Sequence, residues 1–139
     1  MMSSNLIVEP EAISEAEPEA ESQMEPQTEV TLEPLVRVIV PCYQSERTIR
    51  QCLNAIINQQ TSVTFDVIVV DSSSDQTAQI VESEFPSVRL IHLNQRTFAG
   101  AARNVGMRAT RAEFCLMIDS DCIAESDLIE RAVARLTFL

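Results

Sequence analysis

The sequence predicts an α/β fold, a parallel sheet of alternating strands and helices, and three observations carry that expectation. Between Leu35 and Leu139, short β-rich apolar runs alternate four times with segments whose apolar residues recur at helical spacing. Three of those runs end on a cluster of polar residues, as strands do that all reach the same rim of a sheet. Parallel neighbours need a crossover between them, and each intervening helical segment is long enough to supply one.

Ahead of this region lies an acidic leader. Residues 1–34 carry nine Glu and no Lys or Arg, and Glu-Pro recurs every eight residues, at Glu9-Pro10, Glu17-Pro18, Glu25-Pro26 and Glu33-Pro34. Each Pro removes a backbone donor and biases its predecessor away from helix. So much like charge with so few apolar residues cannot offset the entropy of ordering, so residues 1–34 are expected to be a disordered, Glu/Pro-rich tether. The other 12 acids and all 10 bases, every one an Arg, leave residues 35–139 near neutrality as the folded domain.

Leu35–Val40 is a β-rich run closed by Pro41, the pattern of a strand covered on both faces. Ser45 can cap a helix whose apolar positions, Ile49, Cys52, Leu53, Ile56 and Ile57, share one face. Phe65–Val70 is a second strand ending at Asp71. A helix follows from Asp75 to Glu84, with Ser74 or Asp75 as its cap and Pro86 as its stop. Val88–Leu93 is a third strand, and Phe98–Thr110 a third helix with Ala102, Val105, Met107 and Ala109 among its apolar positions. Glu113–Ile118 is a fourth strand ending at Asp119, and a last helix, Ser126–Leu136, buries Leu128, Ile129, Ala132, Val133 and Leu136. With right-handed crossovers the result is a Rossmann-like sheet in the order 3-2-1-4.

Composition excludes several functions. Two glycines in the whole chain cannot spell a Gly-rich Rossmann or P-loop phosphate loop. The near-neutral domain argues against a general nucleic-acid or anionic-membrane binder. No run approaches the ~20 apolar residues of a membrane span, and no basic region precedes Leu6-Ile7-Val8, so no secretory signal is read and the expected location is cytoplasmic. Cys42, Cys52, Cys115 and Cys122 form no C-x-x-C pair, and His92 is the sole histidine, so no zinc pattern is present. The cysteines are expected to be reduced apolar fillers and His92 a structural histidine.

Chemistry is then sought on the rim, at Pro41-Cys42-Tyr43-Gln44, Asp71-Ser72-Ser73-Ser74-Asp75 and Asp119-Ser120-Asp121. In the order 3-2-1-4, Asp71 and Asp119 flank Tyr43 across one cleft. Asp119 and Asp121, two residues apart after a buried strand, can divide between a ribose hydroxyl and a divalent metal. Mg2+ or Mn2+ takes one or two carboxylates and completes its shell with water and phosphate oxygens. A solvated loop or a helix cap is the plain alternative. The Tyr43 ring can stack on a base or simply pack. Residues 94–112 hold Arg96, Arg103, Arg108 and Arg111 and no acid. A basic helix start at the rim suits a diphosphate, with Arg108 and Arg111 facing solvent.

Four stretches together resemble the nucleotide-binding half of the family 2 glycosyltransferases, which have the GT-A fold: VRVIVPCYQSERTIRQCLNAIINQ at 36–59, FDVIVVDSSSDQTAQIV at 65–81, FAGAARNVGMRAT at 98–110 and AEFCLMIDSDC at 112–122. With their linking segments they cover nearly all of residues 35–139, in family order and spacing. The resemblance implies a nucleotide-diphosphate sugar donor, Mn2+ or Mg2+, and transfer of the sugar to an acceptor hydroxyl, with inversion. It implies that Pro41 and Tyr43 line the base pocket and that Asp71 holds the base or ribose. It further implies that Arg103 and Asn104 support the donor pocket, that Asp119 belongs to the D-x-D element, and that Asp121 is the metal ligand. Ser72 and Ser73 depart from the family, which usually has a second acid and a glycine there. Cys42 stands where a small hydroxyl residue is common.

The family's transferase domain continues past the matched part with the acceptor site and a carboxylate general base, so the chain is expected to be a truncated, donor-binding half. An exposed apolar edge at Glu113–Ile118 is expected to favour association. A non-catalytic nucleotide-binding module is the alternative reading. A sugar-nucleotide-forming nucleotidyltransferase would need glycine between Pro41 and Thr48, and a phospho-acceptor domain would need a Lys; the chain has neither.

Overall fold

The structure, a computed structural model, describes residues 33–138. The expected disorder of the leader falls on residues that lie, but for Glu33 and Pro34, outside the described ones. Four strands, β1 (Val36–Cys42), β2 (Phe65–Asp71), β3 (Arg89–His92) and β4 (Phe114–Met117), alternate with four helices, α1 (Ile49–Ile57), α2 (Thr77–Glu84), α3 (Ala99–Arg108) and α4 (Leu128–Phe138). The strands form one sheet in the order β3-β2-β1-β4, and every pairing is parallel, as the sequence predicts.

The faces follow from the side chains. Val36, Val38, Val40 and Cys42 of β1 join Val67 and Val69 of β2 on one face, under Ile49, Cys52, Leu53 and Ile56 of α1, Ile80 and Val81 of α2, and Ile129 of α4. Ile39, Ile68 and Val70 point to the other face, under Ala102 of α3. Burying each such Ile or Val fully contributes about 1.5–3 kcal/mol. Right-handed crossovers explain the division. The chain steps one way from β1 to β2 to β3, so α1 and α2 share a face; it then runs back to β4, which puts α3 on the other. The reversal between β1 and β4 opens a crevice at their C-terminal ends.

β1 runs through Pro41 rather than stopping before it. The Ile118 amide donates to the Ile39 carbonyl and the Ser72 amide to the Cys42 carbonyl, each at 3.1 Å. Alternate residues of a strand present their polar groups to opposite sides, so Pro41 faces the β4 side, beyond the last β4 residue, where no ladder bond needs an amide. Arg37 interrupts the apolar run and is 7% exposed. Its guanidinium pairs with Asp66, its register neighbour on β2, and with Glu33 at 3.5 Å. Burial of a charge is tolerable only with such partners.

Three helical positions differ from the periodic reading. Ile57, Met107 and Leu136 are exposed. In α3 the inward place next to Met107 is taken by Gly106, because the helix approaches β1 too closely for a side chain: a Cβ there would meet Ile39 Cγ2 at 2.5 Å. β4 is an edge strand among the described residues, with Cys115 exposed on it. No described helix is long and apolar enough to cross a membrane.

The two glycines of α3 should therefore respond oppositely to alanine. Gly106→Ala gains about 1 kcal/mol of helix propensity but overpacks against Ile39 at about 1–3 kcal/mol, a net loss of up to about 2 kcal/mol. Gly100→Ala meets nothing within 4 Å and gains up to about 1 kcal/mol. Chemical denaturation of both variants beside the parent chain checks the signs.

Candidate active site

Three loops meet at the C-terminal rim, and hydrogen bonds stitch them into one surface. Gln44 takes a left-handed φ of 51°, which disfavours a side chain with a Cβ. The turn sets its amide on Ser73 Oγ at 2.6 Å, while its side-chain oxygen accepts the amides of Ser74 at 2.7 Å and Asp75 at 3.2 Å. Glu46 bonds to Asp75 and Gln76 across the same seam. The Glu46 amide donates to Asp75 Oδ2 at 3.3 Å, and the Gln76 amide donates to Glu46 Oε1 at 3.0 Å. The N-cap of α2 is Gln76 rather than Ser74 or Asp75, and its side chain makes no cap bond; Asp75, one residue earlier, accepts the Thr77 amide at 2.9 Å and its hydroxyl at 2.6 Å. Ser45 does not cap α1 with its side chain. Its carbonyl starts the turn, accepting the Thr48 and Ile49 amides, and its hydroxyl meets Ser120 Oγ of the β4 loop at 2.8 Å.

These loops frame an open cleft of about 470 Å³ whose lining includes Tyr43, Arg47, Arg103, Asp119 and Asp121. Arg103 Nη2 donates to Asp119 Oδ1 at 2.7 Å, with 34% and 58% of the two side chains exposed. Asp119, Asp121 and Cys122 offer one ligand atom each within 4.8 Å of one another, all exposed. Two hard carboxylate donors that close fit a divalent cation that keeps open positions for water and phosphate. The Arg96 guanidinium lies 4.2 Å from the Tyr43 ring centre and 5.1 Å from that of Phe98. The face that sequence reasoning offered to a base therefore carries a cation–π contact.

The predicted residues are thus placed unequally. Tyr43, Arg103, Asp119 and Asp121 share the cleft, and Pro41 lies buried at the end of β1 just before Tyr43. Asn104 is exposed on α3 and has no side-chain hydrogen bond among the described residues. Asp71 is completely buried, its oxygens engaged by Ser73 Oγ at 2.5 Å and His92 Nδ1 at 2.9 Å. Sequence reasoning missed that link between His92 and Asp71, and the Arg96 stack. Cys122 departs from the expected filler role, as does Cys115, both being exposed. Its place directly after Asp121 was the available signal.

The other two thiols behave as fillers. Burial pushes Cys42 far above the usual thiol range, with the Asp71 and Cys52 charges adding to the effect. Burial, then Cys122, Asp121 and Asp119, push Cys52 up to about 12. Burial raises Asp75, but hydrogen bonds from the Thr77 hydroxyl and amide and from the Glu46 amide outweigh it and hold the carboxyl below its usual value.

The family described as glycosyl transferase family 2 matches residues 37–138. The chain belongs to that family. A poly(ribitol-phosphate) β-N-acetylglucosaminyltransferase, TarS, of Staphylococcus aureus strain Mu50 is 38% identical over 102 residues, which are 70% of this chain and 18% of that protein. The succinoglycan biosynthesis protein ExoO of Rhizobium meliloti strain 1021 is 36% identical over 102 residues, 72% of this chain and 29% of ExoO. The crystal structure of S. aureus TarS 1-349 in complex with UDP superposes with a TM-score of 0.68 at 35% identity, over 74% of this chain and 32% of that one. The mannosyltransferase PcManGT from Pyrobaculum calidifontis, in complex with GDP-Man and Mn2+, gives 0.64 at 29% identity, over the same shares. The chain thus spans less than a third of the length of these relatives.

Two outcomes follow from the thiols and from Asp75. A thiol reagent at neutral pH should modify Cys115 and Cys122 quickly and reach Cys42 and Cys52 only on unfolding, so a stoichiometry near two rises to four in denaturant. A carboxyl depressed in the folded state contributes stability above its unfolded pKa of about 3.9, lost as pH falls through the lower folded value. Asp75→Ala should therefore cost about 1 kcal/mol at pH 7, and the gap to the parent chain should narrow in melts recorded below about pH 4.

Proposed function

We propose that this chain forms the donor side of a glycosyltransferase: it binds a nucleoside-diphosphate sugar with Mn2+ or Mg2+, for transfer of the sugar to an acceptor hydroxyl. The observation that carries the reading is the cleft in which Asp119 and Asp121 lie beside Arg103 at the point where the strand order reverses. The relatives bound to UDP and to GDP-Man with Mn2+ support it. Asp121, with Asp119, would hold the cation, which when bound supplies positive charge beside the diphosphate.

The chain's own residues perform the rest of the binding. Arg103 and Arg47 line the cleft and attract the diphosphate, Arg103 by exchanging its exposed contact with Asp119 for phosphate oxygens. Both guanidiniums sit where negative charge grows as the sugar leaves, and interactions that strengthen there lower the barrier. Pro41 and Tyr43 form the nucleoside end, and Asn104, next to Arg103, supports the donor pocket. The base that deprotonates the acceptor hydroxyl is assigned to no residue of this chain.

Thermal-shift titration of the full chain with UDP, GDP, CDP and ADP, each with and without Mn2+, tests this. Ligand at about a hundred times its dissociation constant adds roughly 2.7 kcal/mol, several degrees in the melt of a domain this size. The expected result is a cation-dependent shift that Asp119→Asn/Asp121→Asn abolishes. A cooperative melt that no nucleotide moves would overturn the reading.

A further inference from the structure

Two thiols bracket the loop that carries Asp119 and Asp121, and the donor-binding reading uses neither. Cys52, on α1, is buried beneath that loop, and its Sγ donates to the Asp119 carbonyl at 3.5 Å. The Cys122 amide donates to the same carbonyl at 3.0 Å and closes the turn 119–122. One oxygen therefore holds both residues, and the Cys122 amide also approaches the Cys52 sulfur as a hydrogen-bond donor.

The two sulfurs differ in access. Cys122 is exposed and lines an open cavity of about 520 Å³ together with Arg103 and Asp119. Its Sγ lies 3.9 Å from Asp121 Oδ1, and one oxygen of each carboxylate and this sulfur all fall within 4.8 Å of one another. Cys52 has no exposed surface, so a reagent from solution meets Cys122 first. Cys42 lies near Cys52 as well, but both of those thiols are buried. A disulfide needs its two Cβ atoms about 3.5–4.5 Å apart. To join Cys52, the Cys122 sulfur must leave the carboxylates and turn inward, which twists the turn that carries Asp121.

Resting on the donor-binding reading above, we infer that Cys52 and Cys122 are a redox pair: a peroxide joins them in a disulfide that draws Asp121 away from Asp119 and weakens the hold on the cation. The Cys122 sulfur attacks the peroxide O–O bond. An S–O bond forms, the O–O bond breaks, and the departing hydroxide takes the thiol proton as water, leaving a sulfenic acid. The Cys52 sulfur then attacks the Cys122 sulfur. The S–S bond forms, the S–O bond breaks, and the leaving hydroxide takes the Cys52 proton as a second water. Two thiols lose two electrons and one peroxide gains them, and a dithiol reverses the step by exchange. Disturbing the support of a cation's ligands costs about ten- to hundredfold in affinity, and a displaced carboxylate falls in that range.

The test uses the full chain carrying Cys115→Ser, which removes the other exposed thiol. After one equivalent of hydrogen peroxide the intact mass should fall by two hydrogens, and a digest should join the peptide bearing Cys52 to the one bearing Cys122. The dissociation constant for UDP or GDP with Mn2+ should rise about ten- to hundredfold and recover with dithiothreitol. Adding Cys122→Ser should leave binding indifferent to peroxide, and adding Cys52→Ala should stop the reaction at an oxidised Cys122 with no cross-link. Because Cys52 is buried, its variant can fail to fold; the exposed Cys122 then decides alone. Thiols that stay free, or Cys122 carried on to sulfinic acid beside a free Cys52, overturn the pair. A cross-link that leaves Mn2+-dependent binding unaltered overturns its control of the site, as does a peroxide response that persists in Cys122→Ser. If the reduced chain binds no nucleoside diphosphate, the donor-binding reading falls and the control with it, while the cross-linked peptide still decides the pair.

Discussion

A right-handed crossover can return the chain to a parallel sheet over one face only, and that constraint arranges the candidate site of this chain. Two steps outward from β1 place α1 and α2 together; the return to β4 must cross on the opposite face, so α3 lies alone there. The N-terminal end of α3 then rises beside the ends of β1 and β4, and Arg103, one turn in, meets Asp119. α3 sits close enough to β1 that a Cβ at Gly106 would meet Ile39 Cγ2 at 2.5 Å. The cleft and the packing of its back wall are consequences of one topological fact.

The rim solves a separate problem. Loops leaving parallel strands commonly use glycine for left-handed turns and close approach, yet both glycines of this chain are in α3. Side chains do the work instead. Gln44 accepts a left-handed φ and satisfies two amides of the β2 loop, while Ser73, Asp75 and Glu46 complete the seam. A loop held by side chains is more constrained than one held by glycine, because each bond specifies a partner as well as a backbone angle. The same turn leads into Tyr43 and Arg47, which line the cleft.

The sequence carried the fold well because strand order, helix faces and crossover direction all derive from apolar periodicity and chain direction. It failed where two adjacent residues competed for one place. Periodicity marked Met107 as inward, but only the distance to Ile39 shows that Gly106 holds that place. It also failed for polar partners joined by register. Arg37 reads as a flaw in an apolar strand until Asp66 is found opposite, and Ser45 reads as a cap until Ser120 is found across the cleft. At the site, the acidic pair Asp119 and Asp121 was legible from its position after a buried strand. The engagement of Asp71 was not, because His92 lies 21 residues further along and meets it only through the pairing of β3 with β2.

The two strand-end aspartates show how burial divides roles between identical side chains. Asp71 has no exposed surface, and a carboxylate out of water is tolerable only when its oxygens are bonded; Ser73 and His92 do this at the end of β2. Asp119 is 58% exposed and holds one guanidinium in solvent, a contact worth roughly 0–1 kcal/mol. That pair separates at little cost, as the donor-binding role proposed for Arg103 and Asp119 requires. The strong bonds therefore lie where shape must persist, and the weak ones where a ligand must displace them.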